Sequence, residues 1–344
     1  MELDTIVRKF INTTNYTVNP ITDGLINSTY ILENNDNNKK YILQNINPQI
    51  FKNPTIIITN HLLINCLLQS HRYELVIIDP IASSTQEFLV HDENEQSWRL
   101  QNYIEDSKTF LKVPSSEIAY KAAKALSHFL DTVNTPDLIE IQETLPGFIN
   151  FEKRIHDYKK SLEHANPILL ENAQSEVKLA NELLSLPNQW IEMVKKNHLP
   201  KRIIHADPKI SNILFNKNNE PIAVIDLDTV IVSTILYDFG DMTRSYCNIT
   251  NEDDGSSPIN NFNPSIFKAV KEGFLFHLEE KLTAEEYNNL EYAAQVVIYI
   301  QAIRFLTDYL NENIYYSIQY PEHNLDRVRN QFRLLEGLTQ YLKA

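Results

Sequence analysis

The chain changes its periodicity once, near residue 105, and that change limits the folds open to it. Before that point, short runs rich in β-branched and aromatic residues alternate with turn signals. "NYTVNPI", "STYILE", "KYILQNI", "ELVIID", "QEFLVHD" and "SWRLQNYI" all read as strands, and "NNDNNKK" (34–40) reads as a hairpin tip. One helical pattern interrupts them: Pro54 starts it, and Ile58, Leu62, Cys66 and Gln69 follow at helical spacing. After Asp106 the texture is helical. "PSSEIAYKAAKALSHFLDTV" opens with Pro and Ser caps and puts Ile118, Ala122, Ala125, Leu126, Phe129 and Leu130 on one face. Further helical patterns cover roughly 151–164, 169–185, 187–197, 264–280, 283–310 and 323–342. Two short β elements interrupt these, "RIIH" with "NILF" and "IAVIDLD". The expectation is an α+β chain with a bilobal, protein-kinase-like order. Residues 1–104 form a small antiparallel β lobe with one helix, and 105–344 form a mostly helical lobe. "NYIEDSK" (102–108) connects them.

Composition narrows the function classes. The 344 residues allow one large domain or two smaller ones, and a hydrophobic fraction of 43% is ample for a core. The formal net charge is −14, and no Lys/Arg cluster supplies the basic footprint that nucleic acid or an anionic membrane surface requires. "MELDTIVRKF" has no apolar stretch of the signal-peptide kind, and no apolar run approaches the ~18 residues that span a bilayer. Cys66 and Cys247 form neither a metal spacing nor a disulfide framework. A soluble, reduced, cytoplasmic protein is expected; nothing here sets its oligomeric state.

Chemistry concentrates in "RIIHADPKISNILF" (202–215). His205, Asp207 and Asn212 fit the kinase catalytic-loop pattern H-x-D-x-x-x-x-N, and Asp226 in "VIDLD" ends the next strand 19 residues after Asp207. A carboxylate at 207 can orient an acceptor hydroxyl and take its proton. Mg²⁺ prefers oxygen ligands, so the Asn212 amide and the Asp226 carboxylate suit it. Lys209 lies where a cation would offset charge on the transferred phosphoryl. Asp228 reads either as a second metal contact or as a substrate contact. The letters D-F-G do occur, at 238–240, but Asp238 lies 31 residues after Asp207 and opens a helix-like segment. It is expected to cap a helix or brace the catalytic loop.

At these residues the chain resembles the aminoglycoside phosphotransferase and choline kinase superfamily, and within it the N-acetylhexosamine 1-kinases. The resemblance rests on "GLINSTY" (24–30), "YILQNIN" (41–47), "FKNP" (51–54), "HADPKISNILF" (205–215), "VIDLDTV" (224–230), "LYDFGDM" (236–242), "RFLTDYL" (304–310) and "HNLDRVRNQF" (323–332), in the same order along nearly the whole chain. It implies an ATP- and Mg²⁺-dependent kinase acting on a small-molecule hydroxyl, most specifically the anomeric hydroxyl of an amino sugar. It also implies a nucleotide-covering hairpin with Gly24, Ser28 and Thr29, and adenine held by backbone groups near Asn102 and Ile104. Arg304 would bind sugar hydroxyls or an acetamido group. Trp98 and the Tyr315–Tyr316 pair are candidates for stacking.

One departure stands out. Where kinases carry V-A-I-K, this chain carries "YILQ", with Gln44 in the lysine's place, and residues 51–73 contain no acidic partner. Losing both members is coherent, because either charge buried alone is costly. Gln44 can still donate to a phosphate, and Lys40 or Lys52 are possible substitutes. The alternatives are an aminoglycoside, choline or homoserine kinase of the same fold, or a kinase-fold protein that binds ligand without catalysis.

Overall fold

The computed structural model describes residues 2–21, 26–135, 140–256 and 260–344. By internal contacts the chain divides into two units. One comprises Met1–Thr109, Phe129–Pro146 and Asn212–Val232; the other comprises Phe110–His128, Gly147–Ser211 and Ser233–Ala344.

The first unit is built on an antiparallel sheet. Helix α1 (Glu2–Phe10) precedes β1 (Tyr16–Ile21), β2 (Ser28–Asn34) and β3 (Lys39–Ile46). Helix α2 (Pro54–Ser70) follows, then β4 (Pro80–Ile81), β5 (Val90–His91) and β6 (Ser97–Asn102). The strand order is β1-β2-β3-β6-β4, with β5 also on β6. Alternation puts Leu32, Leu43, Trp98 and Leu100 on one face, in a core closed by Ile6, Val7 and Phe10 of α1. That helix was not expected from the sequence; its apolar Ile6, Val7 and Phe10 cover a sheet face that would otherwise be wet.

Two expected strands shrink. "ELVIID" forms no ladder before Pro80, and "QEFLVHD" pairs only at Val90–His91. Side chains satisfy the first segment's backbone instead. The Ile78 carbonyl accepts from His61 Nε2 and Asn65 Nδ2, both at 2.7 Å, and Val76 N donates to Ile222 O. The same bonds explain the face of α2. Its buried row is Ile57, His61, Ile64 and Leu68, whereas Leu62 and Cys66 of the expected row are exposed.

The second unit holds most of the helices. Helix α3 (Ser116–Val133), whose residues from Phe129 on count with the first unit, carries the expected apolar face, and all six residues on it are buried. Then come α4 (Phe151–His164), α5 (Pro167–Asn172), α6 (Gln174–Glu182), α7 (Ser185–Lys195) and the short strand β7 (Arg202–Ile204). Next are α8 (Leu236–Tyr246), α9 (Pro264–Leu278), α10 (Ala284–Asn288), α11 (Leu290–Leu310) and α12 (His323–Lys343). Between β7 and α8 the chain adds β8 (Ile213–Phe215) and β9 (Pro221–Val224) to the first unit, as a hairpin in register Ile213↔Val224. Among the described residues no helix is long and apolar enough to cross a membrane.

Helix α11 is buried nearly all round and packs on α8 and α12. The approach of α8 is set by Gly240, where an added Cβ would meet Val297 Cγ2 at 2.5 Å and the Ala293 carbonyl at 2.7 Å. Gly240→Ala forces these helices apart and is expected to cost about 1–3 kcal/mol. Urea unfolding of the variant checks this; an unchanged midpoint contradicts it.

Candidate functional site

The 205–209 loop of the second unit is held by a buried carboxylate. His205 is fully buried, and Ala206 has φ +64°, a left-handed conformation that costs a non-glycine residue free energy. The backbone N–H of His205 donates to Asp238 Oδ2 (2.7 Å), and that of Ala206 donates to Oδ1 (2.8 Å). Asp238 is therefore the brace expected from the sequence, placed in the first turn of α8. Burial pushes its carboxyl up to about 7, against the two N–H donors, with Asp241 and Asp207 raising it further.

Asp207 follows this strained turn, and its N–H donates to His205 Nδ1 (3.3 Å). Lys209 Nζ donates to Asp207 Oδ2 at 2.6 Å. Burial opposes ionisation of Asp207, but Lys209, with His205 and Arg244, outweighs it and holds the carboxyl below its usual range. The group is thus ionised at neutral pH, as a proton acceptor must be.

Arg304 on α11 is not paired with Asp308, four residues on. Asp308 instead accepts from the N–H groups of Tyr315 (2.8 Å) and Tyr316 (2.9 Å) and from Asn324 Nδ2 (2.8 Å). The Arg304 guanidinium donates to Gln301 Oε1 and lies over the rings of Phe148 (5.3 Å) and Tyr316 (5.7 Å). A second guanidinium, Arg154, donates to the Phe148 carbonyl at 3.1 Å, while its Nε is buried without a partner. Among the described residues neither arginine has a carboxylate in ion-pair range. Tyr237 stands against Phe148. Its hydroxyl is pushed up by burial and by the charges of Asp241 and Asp207, and is lowered by Arg304. Asp207 and Arg304 thus act on the same phenol.

In the first unit, Asn212 ends a single helical turn before β8, and Asp226 follows β9. The hairpin sets Asn212 against the residue before Asp226, since Ile225 N donates to the Asn212 carbonyl at 2.9 Å. Asn212 is buried and Asp226 is exposed. A carboxylate and an amide offer two hard oxygens, which fits Mg²⁺. Among the described residues no group of three or more His, Cys, Asp or Glu could hold a metal. The pair therefore fits an ion that takes its other ligands from phosphate and water rather than a protein cage.

Gln44 lies in a file across three strands, Thr29↔Gln44↔Arg99. Its Nε2 donates to Thr29 Oγ1 (3.0 Å), and its Oε1 accepts from Arg99 Nε (2.9 Å). Arg99 Nη1 and Nη2 donate to the two oxygens of Asp228 at 2.7 and 2.9 Å, and Asn27 Nδ2 donates to Oδ2 at 2.9 Å. Both Asp228 oxygens are engaged inside the protein.

Ser28 pairs with Asn45 at the start of β2. Asn102 exchanges bonds with Asp79, and the Ile104 carbonyl accepts from Ser107 Oγ. Gly24 lies outside the described residues. Trp98 is packed against Tyr30 in the sheet core. The sequence reading passed over Arg99, Arg154 and Tyr237. A signal for Arg99 was present, because a lone arginine alternates with Trp98 and Leu100 on a strand buried on both faces.

Comparison with known proteins places the chain. Residues 78–255, just over half of it and including most of these groups, match the APH phosphotransferase enzyme family, and the chain belongs to that family. It is similar in fold to spectinomycin phosphotransferase APH(9)-Ia, solved with ADP and spectinomycin (TM-score 0.63, 11% identity, 99% of this chain and 98% of that one). A microcompartment-associated aminopropanol kinase gives TM-score 0.63 at 14% identity, covering 99% and 97%. Choline kinase LicA from Streptococcus pneumoniae gives 0.57 at 13%, covering 99% and 100%.

The Asp207–Lys209 contact predicts a pH effect. Lys209→Met removes the main charge that lowers the Asp207 pKa, so the acid limb of the kcat/KM profile for ADP release moves to higher pH. An unmoved limb contradicts the assignment of Asp207 as the titrating base.

Proposed function

We propose that the protein is an ATP- and Mg²⁺-dependent kinase of a small polyol, most specifically of an N-acetylhexosamine at its anomeric hydroxyl. The observation that carries the choice of acceptor is the pair of arginines beside Tyr237. Arg304 and Arg154 lack carboxylate partners and are lined by Phe148, Tyr237 and Tyr316. Such a surface donates to hydroxyl and acetamido oxygens and stacks on a sugar face. It repels a cationic acceptor such as choline or a polyamine antibiotic.

In this reading Asp207 orients the acceptor hydroxyl and takes its proton late in transfer. Lys209, now on Asp207, offsets charge on the transferred phosphoryl. Asn212 and Asp226 would hold Mg²⁺, which would supply charge neutralisation at the phosphates. Ser28 and Thr29 cover the nucleotide, with adenine against the backbone near Asn102 and Ile104. Asp228 and Gln44 are assigned to the Arg99 network rather than to acceptor or phosphate, because their polar atoms are already taken. Phosphoryl transfer is mainly positioning and charge stabilisation, which such a sparse set can supply.

ADP release across N-acetylglucosamine, N-acetylgalactosamine, choline and kanamycin tests the acceptor. Turnover is expected with a hexosamine, and Asp207→Asn is expected to lower kcat by about 10²–10⁴-fold. Turnover of choline or kanamycin with silence on both sugars overturns the acceptor assignment.

A further inference from the structure

The residue between β9 and Asp228 has an unusual backbone. Asp226 sits at φ +65°, ψ +61°, a left-handed conformation that a non-glycine residue adopts at a cost of order 1–3 kcal/mol. Strain of that kind persists only where the surroundings over-determine it. Asp228, two residues on, supplies one such constraint. Leu227 and Asp228 are buried while Asp226 is exposed. Asp228 is held three ways: by the Arg99 fork on both carboxylate oxygens, by Asn27 Nδ2, and by Thr144 Oγ1, which donates to its carbonyl at 2.7 Å. Asn27 is itself fixed by Asn47 N at 3.0 Å.

Arg99 is 1% exposed, and each of its three nitrogens donates one hydrogen bond within this network. The nearby His61 stays neutral: burial and the Arg99 charge lower it to about 4. With Nε2–H donating to Ile78 O, its Nδ1 faces Gln101 Nε2. A buried ion pair is a weak source of stability, since its desolvation offsets most of its attraction. Its placement is more informative. The cation stands one strand over from Gln44, and its acid comes from the loop that carries Asp226 rather than from α2.

Resting on the phosphotransferase reading, we propose that Arg99 is the positioning residue of the metal site. It anchors Asp228 to the sheet and so holds Asp226 in the left-handed conformation that presents its carboxylate beside Asn212. The charge pair that other kinases build between strand lysine and helix glutamate is here rebuilt between β6 and the metal loop. Arg99 therefore acts on metal affinity through Asp228 and touches neither phosphate nor acceptor.

Mn²⁺ binding to the full chain in saturating ADP, followed by electron paramagnetic resonance, tests this beside calorimetry of ADP alone. Arg99→Lys keeps the charge and loses the two-pronged contact. It is expected to weaken Mn²⁺ binding about 10–100-fold, as loss of a partner behind a metal ligand does, while ADP without metal binds within about twofold of the parent chain. Thr144→Val removes only the hydroxyl on the Asp228 carbonyl; it shifts Mn²⁺ affinity the same way and serves where Arg99→Lys does not fold. Parent-like Mn²⁺ affinity in the folded variants overturns the proposal, and so does a loss of ADP binding in step with Mn²⁺. A parent chain that binds no Mn²⁺ with ADP overturns the phosphotransferase reading itself, a different outcome.

Discussion

A buried arginine on a strand buried on both faces needs a partner, and the partner it finds organises the first unit. The Arg99–Asp228 pair joins residues 129 positions apart through two bonds below 3 Å. It draws in Gln44 and Thr29 on one side and Asn27 on the other. Removing either charge alone leaves the other buried and unpaired, which costs several kcal/mol. Substitutions in this network therefore behave as a unit, and their effects will not add.

The second unit solves a different problem with similar means. Its 205–209 loop holds Ala206 in a left-handed turn, so that Asp207 follows a buried strand end. Asp238 supplies two acceptors to the N–H groups that the turn orphans. The letters D-F-G at 238–240 thus do three structural things. Asp238 braces the loop, Phe239 fills the core against Phe267 and Phe274, and Gly240 lets α8 approach α11. None of these is metal binding.

Much of this was legible in the sequence because period and spacing report local structure well. The α+β order, the Ser115 cap and apolar face of α3, and the 205–212 pattern followed from that. What was missed depends on partners distant in the chain. The side chains of His61 and Asn65 satisfy Ile78 where a ladder was expected, so "ELVIID" is not a strand. Helix α1 forms because a sheet face needs cover, which "MELDTIVRKF" alone does not announce. Arg304 and Asp308 have ideal helix-pair spacing, yet Asp308 binds two backbone N–H groups of the 315–316 loop instead. Backbone donors left by a loop outcompete a surface ion pair worth a few tenths of a kcal/mol. Gln44 was visible as a missing lysine; that Arg99 lies beside it follows only from strand register.

The central claim is that Asp207, Asn212 and Asp226 serve one phosphoryl transfer. A crystal structure with Mg²⁺, a non-hydrolysable ATP analogue and N-acetylglucosamine tests it most directly. The account predicts metal–oxygen distances of about 2.0–2.1 Å to Asn212 and Asp226. It also predicts the sugar's anomeric hydroxyl within about 3 Å of the Asp207 carboxylate. Phosphates bound with neither residue on the metal, or a sugar seated away from Asp207, would contradict it.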